Sequence, residues 1–172
     1  SDEGRVAGRR AFMQHHDGNA VAGSEAQMTF RPHGSADIEV HGQILIARIV
    51  GPWNIELIRH YQALMKDYLP ALSAGGPWAL IIEIHGAAIC PPDALAQIKA
   101  GAVAHATQSR RVCTSYVIAP DVEGHHVMDR VWREIYAGLI PFEIFETRAA
   151  AMAWSAEQLA RHQDQARGAP AS

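Results

Sequence analysis

The stretch Trp78-Ala79-Leu80-Ile81-Ile82-Glu83-Ile84 decides the fold of this chain. It is apolar at every position but one, and its β-branched residues are typical of a buried strand. The Gly75-Gly76-Pro77 segment stands directly before it and breaks the preceding pattern. The sequence therefore predicts a buried strand that begins close to Trp78.

Three further segments have the same character. Residues 44–50 are apolar and β-branched and end at Gly51-Pro52, residues 114–119 form a similar run, and residues 142–145 form a shorter one. Each is too short for a helix of ordinary length and is bounded by turn residues or polar residues. They predict three more strands of the same sheet.

Two segments near the start instead alternate apolar and polar residues, as half-buried strands do. They are residues 28–31 and residues 38–40, and the second is followed by His41-Gly42-Gln43. A short segment with a central glycine between two strands predicts a tight hairpin. The sheet is therefore expected to begin with antiparallel strands.

Four helical segments follow the later strands. Asn54, Asp121 and Thr147 are predicted to cap the first, third and fourth, and Pro91-Pro92-Asp93 to open the second. The small residues on the inner face of the second helix predict a close approach to the sheet. The residues of the third helix that we expect to face inward are Val127, Met128, Val131, Trp132 and Ile135.

The predicted order is β-β-β-α-β-α-β-α-β-α. Such alternation implies right-handed crossovers and an α/β fold, with a mixed, mostly parallel sheet of about five strands and helices mainly on one face. We place the domain at residues 26–161, a flexible arm at 1–25 and a flexible tail at 162–172, because both ends are small, polar and aperiodic.

Composition limits the classes of function. A formal net charge of −3 without a basic run argues against a nucleic-acid partner. Two cysteines without metal-ligand spacing predict neither a disulfide framework nor a zinc site, and we expect no cofactor. No apolar run approaches the length of a membrane span. The polar stretch after Arg9-Arg10 argues against twin-arginine export, so we expect a cytoplasmic protein.

Three local motifs resemble the STAS domain family, whose best-known members are anti-sigma-factor antagonists, and more closely its bacterial antagonist-like branch. They are Gly51-Pro52-Trp53-Asn54, the strand led by Gly76-Pro77-Trp78, and the alanine-rich ending from Thr147 to Trp154. The resemblance covers residues 26–160 and implies a STAS-like fold and a protein partner.

The family's phosphorylation site is missing. In the antagonists, an Asp-Ser-Ser-Gly stretch opens the helix after the central strand and is phosphorylated by a partner kinase. The matching residues here, Cys90-Pro91-Pro92-Asp93, contain no Ser or Thr. The resemblance therefore implies the scaffold without its known switch.

Ligands of open parallel sheets bind outside the carboxyl ends of the strands. The loops that begin at Gly51, His85, Pro120 and Glu146 meet at that edge. We expect Trp53 either to close a pocket, to anchor a partner or to cover the rim of the core. The candidate site residues at this edge are Trp53, Asn54, His85, Cys90, Asp93, Asp121, His125 and His126.

Two kinds of chemistry are considered at this edge. Cys90 precedes a helix, whose positive end lowers the pKa of a thiol, and His85 is a nearby candidate base. Without a surrounding nucleophile motif, we interpret Cys90 as a small buried residue and expect no enzyme. The histidines and Asp121 lack helical metal-ligand spacing, so we expect no metal site.

Three hypotheses of function remain. The first is a non-enzymatic regulatory module that binds a protein through the loop edge and the helix from Pro92 to about Ala106. The second is a carrier of a small apolar ligand held between helix and sheet. The alternation of strands and helices also resembles that of the lipid-transfer fold of the Sec-fourteen type. The third is a thiol-dependent enzyme using Cys90. A homodimer is among the assemblies considered.

Overall fold

The computed structural model of the protein describes residues 34–168. The predicted arm at 1–25 and the predicted strand at 28–31 lie outside the described residues. Five strands and four helices alternate along the described part. They are, in chain order, β1 (Ser35–His41), β2 (Ile44–Val50), α1 (Ile55–Gly75), β3 (Trp78–His85), α2 (Pro92–Gln108), β4 (Arg111–Ile118), α3 (His125–Tyr136), β5 (Phe142–Phe145) and α4 (Arg148–Gly168).

The strands form one sheet in the order β1-β2-β3-β4-β5. β1 and β2 are antiparallel and joined by a tight turn in which Gly42 has φ +61°, while β2, β3, β4 and β5 pair in parallel. β3 is the central strand, and its residues Trp78 to Ile84 are all buried. The predicted α/β class, with a mixed and mostly parallel five-stranded sheet, is confirmed.

Alternate residues of the strands face two separate apolar layers, because successive side chains of a strand point to opposite faces. Leu45, Leu80 and Ile82 face the side covered by α1, α2 and α3. Ile46 and Ile81 face the other side, where α4 is the one helix among residues 34–168 that covers the sheet. Three helices on one face and one on the other agree with the predicted arrangement.

The helix starts follow local capping chemistry at two of the three predicted positions. Asn54 Oδ1 accepts a hydrogen bond from the backbone N–H of Leu57 at 2.9 Å, and Thr147 Oγ1 accepts one from Ala150 at 3.3 Å. The prediction for Asp121 is wrong. α3 begins after Gly124, whose φ of +80° and close approach to Ile89 leave no room for a side chain.

Two predicted features of the later helices also differ from the structure. Val127 is 71% exposed, whereas Tyr136, which was not predicted to face inward, is buried one turn after Trp132. α4 continues to Gly168, although a flexible tail was predicted from residue 162. Its last turns are exposed, and an ion pair between Glu157 and Arg161 supports the helix there without burial.

Candidate functional site

The loops that follow β2, β3 and β4 do meet at the carboxyl edge of the sheet. The backbone N–H of Gly51 donates to the carbonyl of His85 at 3.0 Å, and that of Ala88 donates to the carbonyl of Glu123 at 2.8 Å. The segments that carry Trp53, Asn54, His85, Cys90, Asp93, Asp121, His125 and His126 therefore lie along one edge.

Most of the polar side chains at this edge are exposed or engaged locally. Asn54 caps α1, and the Asp93 carboxylate accepts a hydrogen bond from the adjacent N–H of Ala94 at 2.8 Å. His85 is hydrogen-bonded to Glu83 at 2.7 Å. Asp121 is exposed. Three of these side chains are therefore hydrogen-bonded within their own segments of the chain.

The histidines at this edge do not assemble a metal centre. The rings of His125 and His126 lie 5.0 Å apart, and the buried Nδ1 of His125 has no hydrogen-bond partner. Across residues 34–168, no group of three or more His, Cys, Asp or Glu side chains is arranged to hold a metal ion.

Cys90 is buried, which agrees with its interpretation as a small buried residue, and its thiol does not have the lowered pKa that a helix start favours. Burial raises the pKa of the Cys90 thiol to about 12, and the nearby Asp93 carboxylate adds to the shift. The residue is only 9% exposed. Loss of hydration of the thiolate therefore outweighs the favourable field at the start of α2.

Cys90 of the native protein is expected to react with iodoacetamide at neutral pH about tenfold or more slowly than glutathione, because little thiolate is present and access is restricted. Peptide mass spectrometry over a time course gives the rate at Cys90 separately from that at Cys113. The urea-unfolded protein is the control and should react at the rate of a free thiol. Native labelling as fast as that of glutathione would contradict this assignment.

A cavity of about 370 Å³ lies beneath α1 and α2, and Trp53 forms part of its wall. Trp53 follows the carboxyl end of β2, and Arg111 begins β4 at the opposite end of the strands. Both line the cavity, which therefore follows the strands along the sheet. The apolar side chains of its wall are Trp53, Ile58, Met65, Leu69, Leu80, Ile82 and Ile98.

The space exists because one stretch of α2 carries almost no side-chain volume. Ala100, Gly101, Ala102 and Ala104 all line the cavity. Small residues were expected to let α2 approach the sheet closely. A hydrogen bond from Gln97 Nε2 to Gln62 Oε1 at 2.9 Å joins α1 and α2 at the cavity wall, and the small residues leave room next to it.

The charged groups that residues 34–168 contribute to the cavity wall are all basic. Arg111 and Lys66 line it, and within that part of the chain no Asp or Glu does so. Lys66 is exposed, so the cavity reaches solvent beside α1, whereas Arg111 is only 5% exposed. Burial, together with the positive charge of Arg111, lowers the pKa of His105 to about 4, so His105 is neutral at physiological pH.

Three tyrosines complete the polar part of the wall. The hydroxyls of Tyr116 and Tyr136 are hydrogen-bonded to each other at 3.0 Å, and Tyr61 lies on α1. Burial raises the pKa of all three, and Arg111 opposes this rise only in part. The tyrosines are therefore neutral hydrogen-bonding groups.

Trp53, which was expected to close a pocket, to anchor a partner or to cover the rim of the core, is buried in the wall of the cavity. Its ring lines the cavity and packs against Trp132 with centroids 5.3 Å apart. Arg111 and the tyrosines were missed. The signal that pointed toward the cavity was the run of small residues from Ala100 to Ala104.

A second polar cluster lies on the face covered by α4. Arg148 Nε donates to Glu83 at 2.6 Å and its Nη1 donates to Glu39 at 3.0 Å, while His85 and His41 bond to the same two carboxylates. Every carboxylate in this chain of contacts has a basic partner. The arrangement therefore fits an ion-pair network that ties α4 to β1 and β3.

None of the helices within residues 34–168 has the length and apolar character needed to cross a bilayer. Comparison with family models, curated proteins and solved structures finds no match to this chain.

Proposed function

We propose that this protein binds a small, largely apolar ligand in the cavity beneath α1 and α2. The observation that carries the proposal is the cavity itself. Protein interiors are otherwise packed with few voids larger than a water molecule, and binding pockets have volumes of about 300–1,000 Å³. A cavity of about 370 Å³ is within that range.

The wall has the composition of a ligand pocket. Most of its side chains are aliphatic or aromatic, and a few polar groups are placed among them. Burying an apolar ligand there removes its surface from water, which favours binding by roughly 25 cal/mol for each Å² buried. The role that follows is that of a carrier or sensor.

A second candidate is the STAS-like protein-binding module that the sequence resemblance implies. Two exposed apolar side chains at the carboxyl edge of the sheet favour it, namely Ile89 at 50% and Val127 at 71% exposure. Ile89 packs against Gly124, close to the start of α3. Exposed apolar side chains near one another are a feature of protein contact surfaces.

The uncharged fluorescent probe N-phenyl-1-naphthylamine tests the first candidate. We expect a saturable rise of fluorescence at one probe per chain, because the probe transfers from water into the cavity. Native mass spectrometry of freshly purified protein is expected to show whether a small molecule is already retained. Fluorescence that never saturates, together with native protein of the bare chain mass, would count against the proposal.

A matched pair of variants tests whether the probe binds in the cavity. Ala104→Phe puts a ring into the cavity wall and is expected to weaken probe binding by about tenfold or more, because the ring occupies space that the probe needs. Ala96→Phe makes the same change at an exposed position of α2 outside the wall and should leave binding unchanged. Equal losses in both variants would show that the probe binds elsewhere.

A further inference from the structure

We infer that the ligand of this cavity is an aliphatic monocarboxylate whose head group is bound by Arg111. This inference rests on the proposed function and names its ligand class. Arg111 lies at one end of the cavity and Trp53 lies toward the other. A chain along the apolar wall with its charged end at Arg111 fits that arrangement.

The first support is the environment of Arg111. The residue is 5% exposed, its buried Nε has no hydrogen-bond partner, and no ion pair found among residues 34–168 includes it. Its guanidinium lies 5.8 Å from the centre of the Trp78 ring, which offers a cation–π contact but no negative charge. Buried charges in proteins are normally paired, because desolvation of an isolated ion is costly.

The second support is the character of the surrounding wall. None of the described residues that line it is an Asp or a Glu, and the pKa of His105 keeps that side chain neutral. An anion entering the cavity therefore meets attraction from Arg111 and Lys66 without repulsion from a carboxylate. A planar guanidinium donates two parallel hydrogen bonds to a carboxylate, which a point charge does not.

The charge balance favours a single negative charge. Among the described residues 34–168, Arg111 is the only buried cation of the wall, since Lys66 is exposed and His105 is neutral. A dianionic phosphate at Arg111 would carry one charge without a buried counter-ion, which is costly in a poorly hydrated site. A carboxylate carries a single negative charge, which the single positive charge of Arg111 balances.

Three ligands with the same alkyl chain test the head group. Isothermal titration of the wild-type protein with dodecanoate, dodecanol and dodecyl phosphate, all below their micelle concentrations, is expected to show dodecanoate binding about tenfold or more tightly than dodecanol, as one charge-assisted pair would give. Dodecyl phosphate is expected to bind more weakly than dodecanoate. Equal affinity for dodecanoate and dodecanol, or tighter binding of the phosphate, would overturn the inference.

Variants assign the effect to Arg111. Arg111→Met is expected to remove the preference for dodecanoate over dodecanol, and an unpaired buried cation can be replaced by an apolar side chain without loss of the fold. Arg110→Met is the matched control, because Arg110 is exposed and bonds to the Ser73 carbonyl outside the cavity. An unchanged preference in Arg111→Met would overturn the assignment.

The two proposals fail in different ways. If dodecanol and N-phenyl-1-naphthylamine bind but dodecanoate gains nothing, the cavity binds apolar ligands and only the carboxylate inference is wrong. If neither the alkyl ligands nor the uncharged probe binds, the proposed function is wrong as well. The comparison of ligands on wild-type protein decides this even if Arg111→Met does not fold.

Discussion

Trp132→Ala is expected to lower the free energy of unfolding by about 4 kcal/mol, the range found when a large buried aromatic side chain is truncated. Trp132 is fully buried on α3. Its ring lies 5.3 Å from that of Trp53 and 5.2 Å from that of Tyr116. The truncation removes apolar contacts with both and leaves a cavity that a close-packed core cannot fill by relaxation.

Urea denaturation followed by far-ultraviolet circular dichroism measures this loss. Val127→Ala is the control on the same helix, and since Val127 is 71% exposed we expect a change of no more than about 0.5 kcal/mol. This pair also tests which face of α3 is buried, because the apolar pattern alone placed both residues inward. A loss of similar size in the two variants would contradict the packing described here.

The sheet was predictable because its strands carry a strong local pattern. Trp78 to Ile84 is apolar over a length that suits a buried strand, and the structure makes it the central one. Alternation of such runs with amphipathic helices leaves few topologies, since parallel strands require crossover helices. The hairpin at Gly42 follows from equally local turn chemistry.

The cavity was not predictable in the same way, because empty space is a property of three elements together. Small residues on a helix are compatible either with close packing or with a void, and the choice depends on the sheet and on α1. Arg111 follows Arg110 at the start of a strand, where charged residues usually face solvent. The pattern holds for Arg110, which is exposed, and fails for Arg111, whose side chain lies under the helices.

Arguments from a single residue are weakest where contacts distant in sequence decide the environment of that residue. The field of a helix start lowers the pKa of a thiol in solution, but burial of Cys90 has the larger effect. Glu83 carried a usable signal, since a carboxylate inside an otherwise apolar strand requires a partner. That partner, Arg148, lies 65 residues further along the chain, beyond the reach of local pattern.

Arg148→Met is expected to lower the free energy of unfolding by about 2 kcal/mol at neutral pH, the range for a hydrogen bond to a charged group. The Glu83 side chain is 12% exposed and that of Arg148 is 38% exposed. Removing Arg148 leaves Glu83 poorly hydrated with only His85 as a partner. Because Arg148 is partly solvated, we expect less than the loss for a fully buried pair.

The pH dependence of this loss distinguishes it from a packing defect. Burial alone would raise the pKa of Glu83, but hydrogen bonds from Arg148 and His85 outweigh it and lower the pKa below the ordinary 4.5. Ionised Glu83 therefore stabilises the wild-type fold above pH 4.5, and this contribution disappears as the pH falls through the lowered pKa. In Arg148→Met, the contributions of Arg148 that lower the Glu83 pKa are lost while burial still raises it, so ionised Glu83 stabilises the fold less and the difference between the two proteins should shrink on acidification.

Chemical denaturation at a series of pH values tests this directly. Glu83→Gln in the Arg148→Met background is expected to recover part of the stability at neutral pH, because it removes a poorly hydrated charge that has lost its Arg148 partner. Arg161→Met breaks only an exposed helix pair and should change stability by no more than about 0.5 kcal/mol at any pH. A loss in Arg148→Met that is constant with pH would mean that Arg148 stabilises α4 through its alkyl chain rather than through the charge on Glu83.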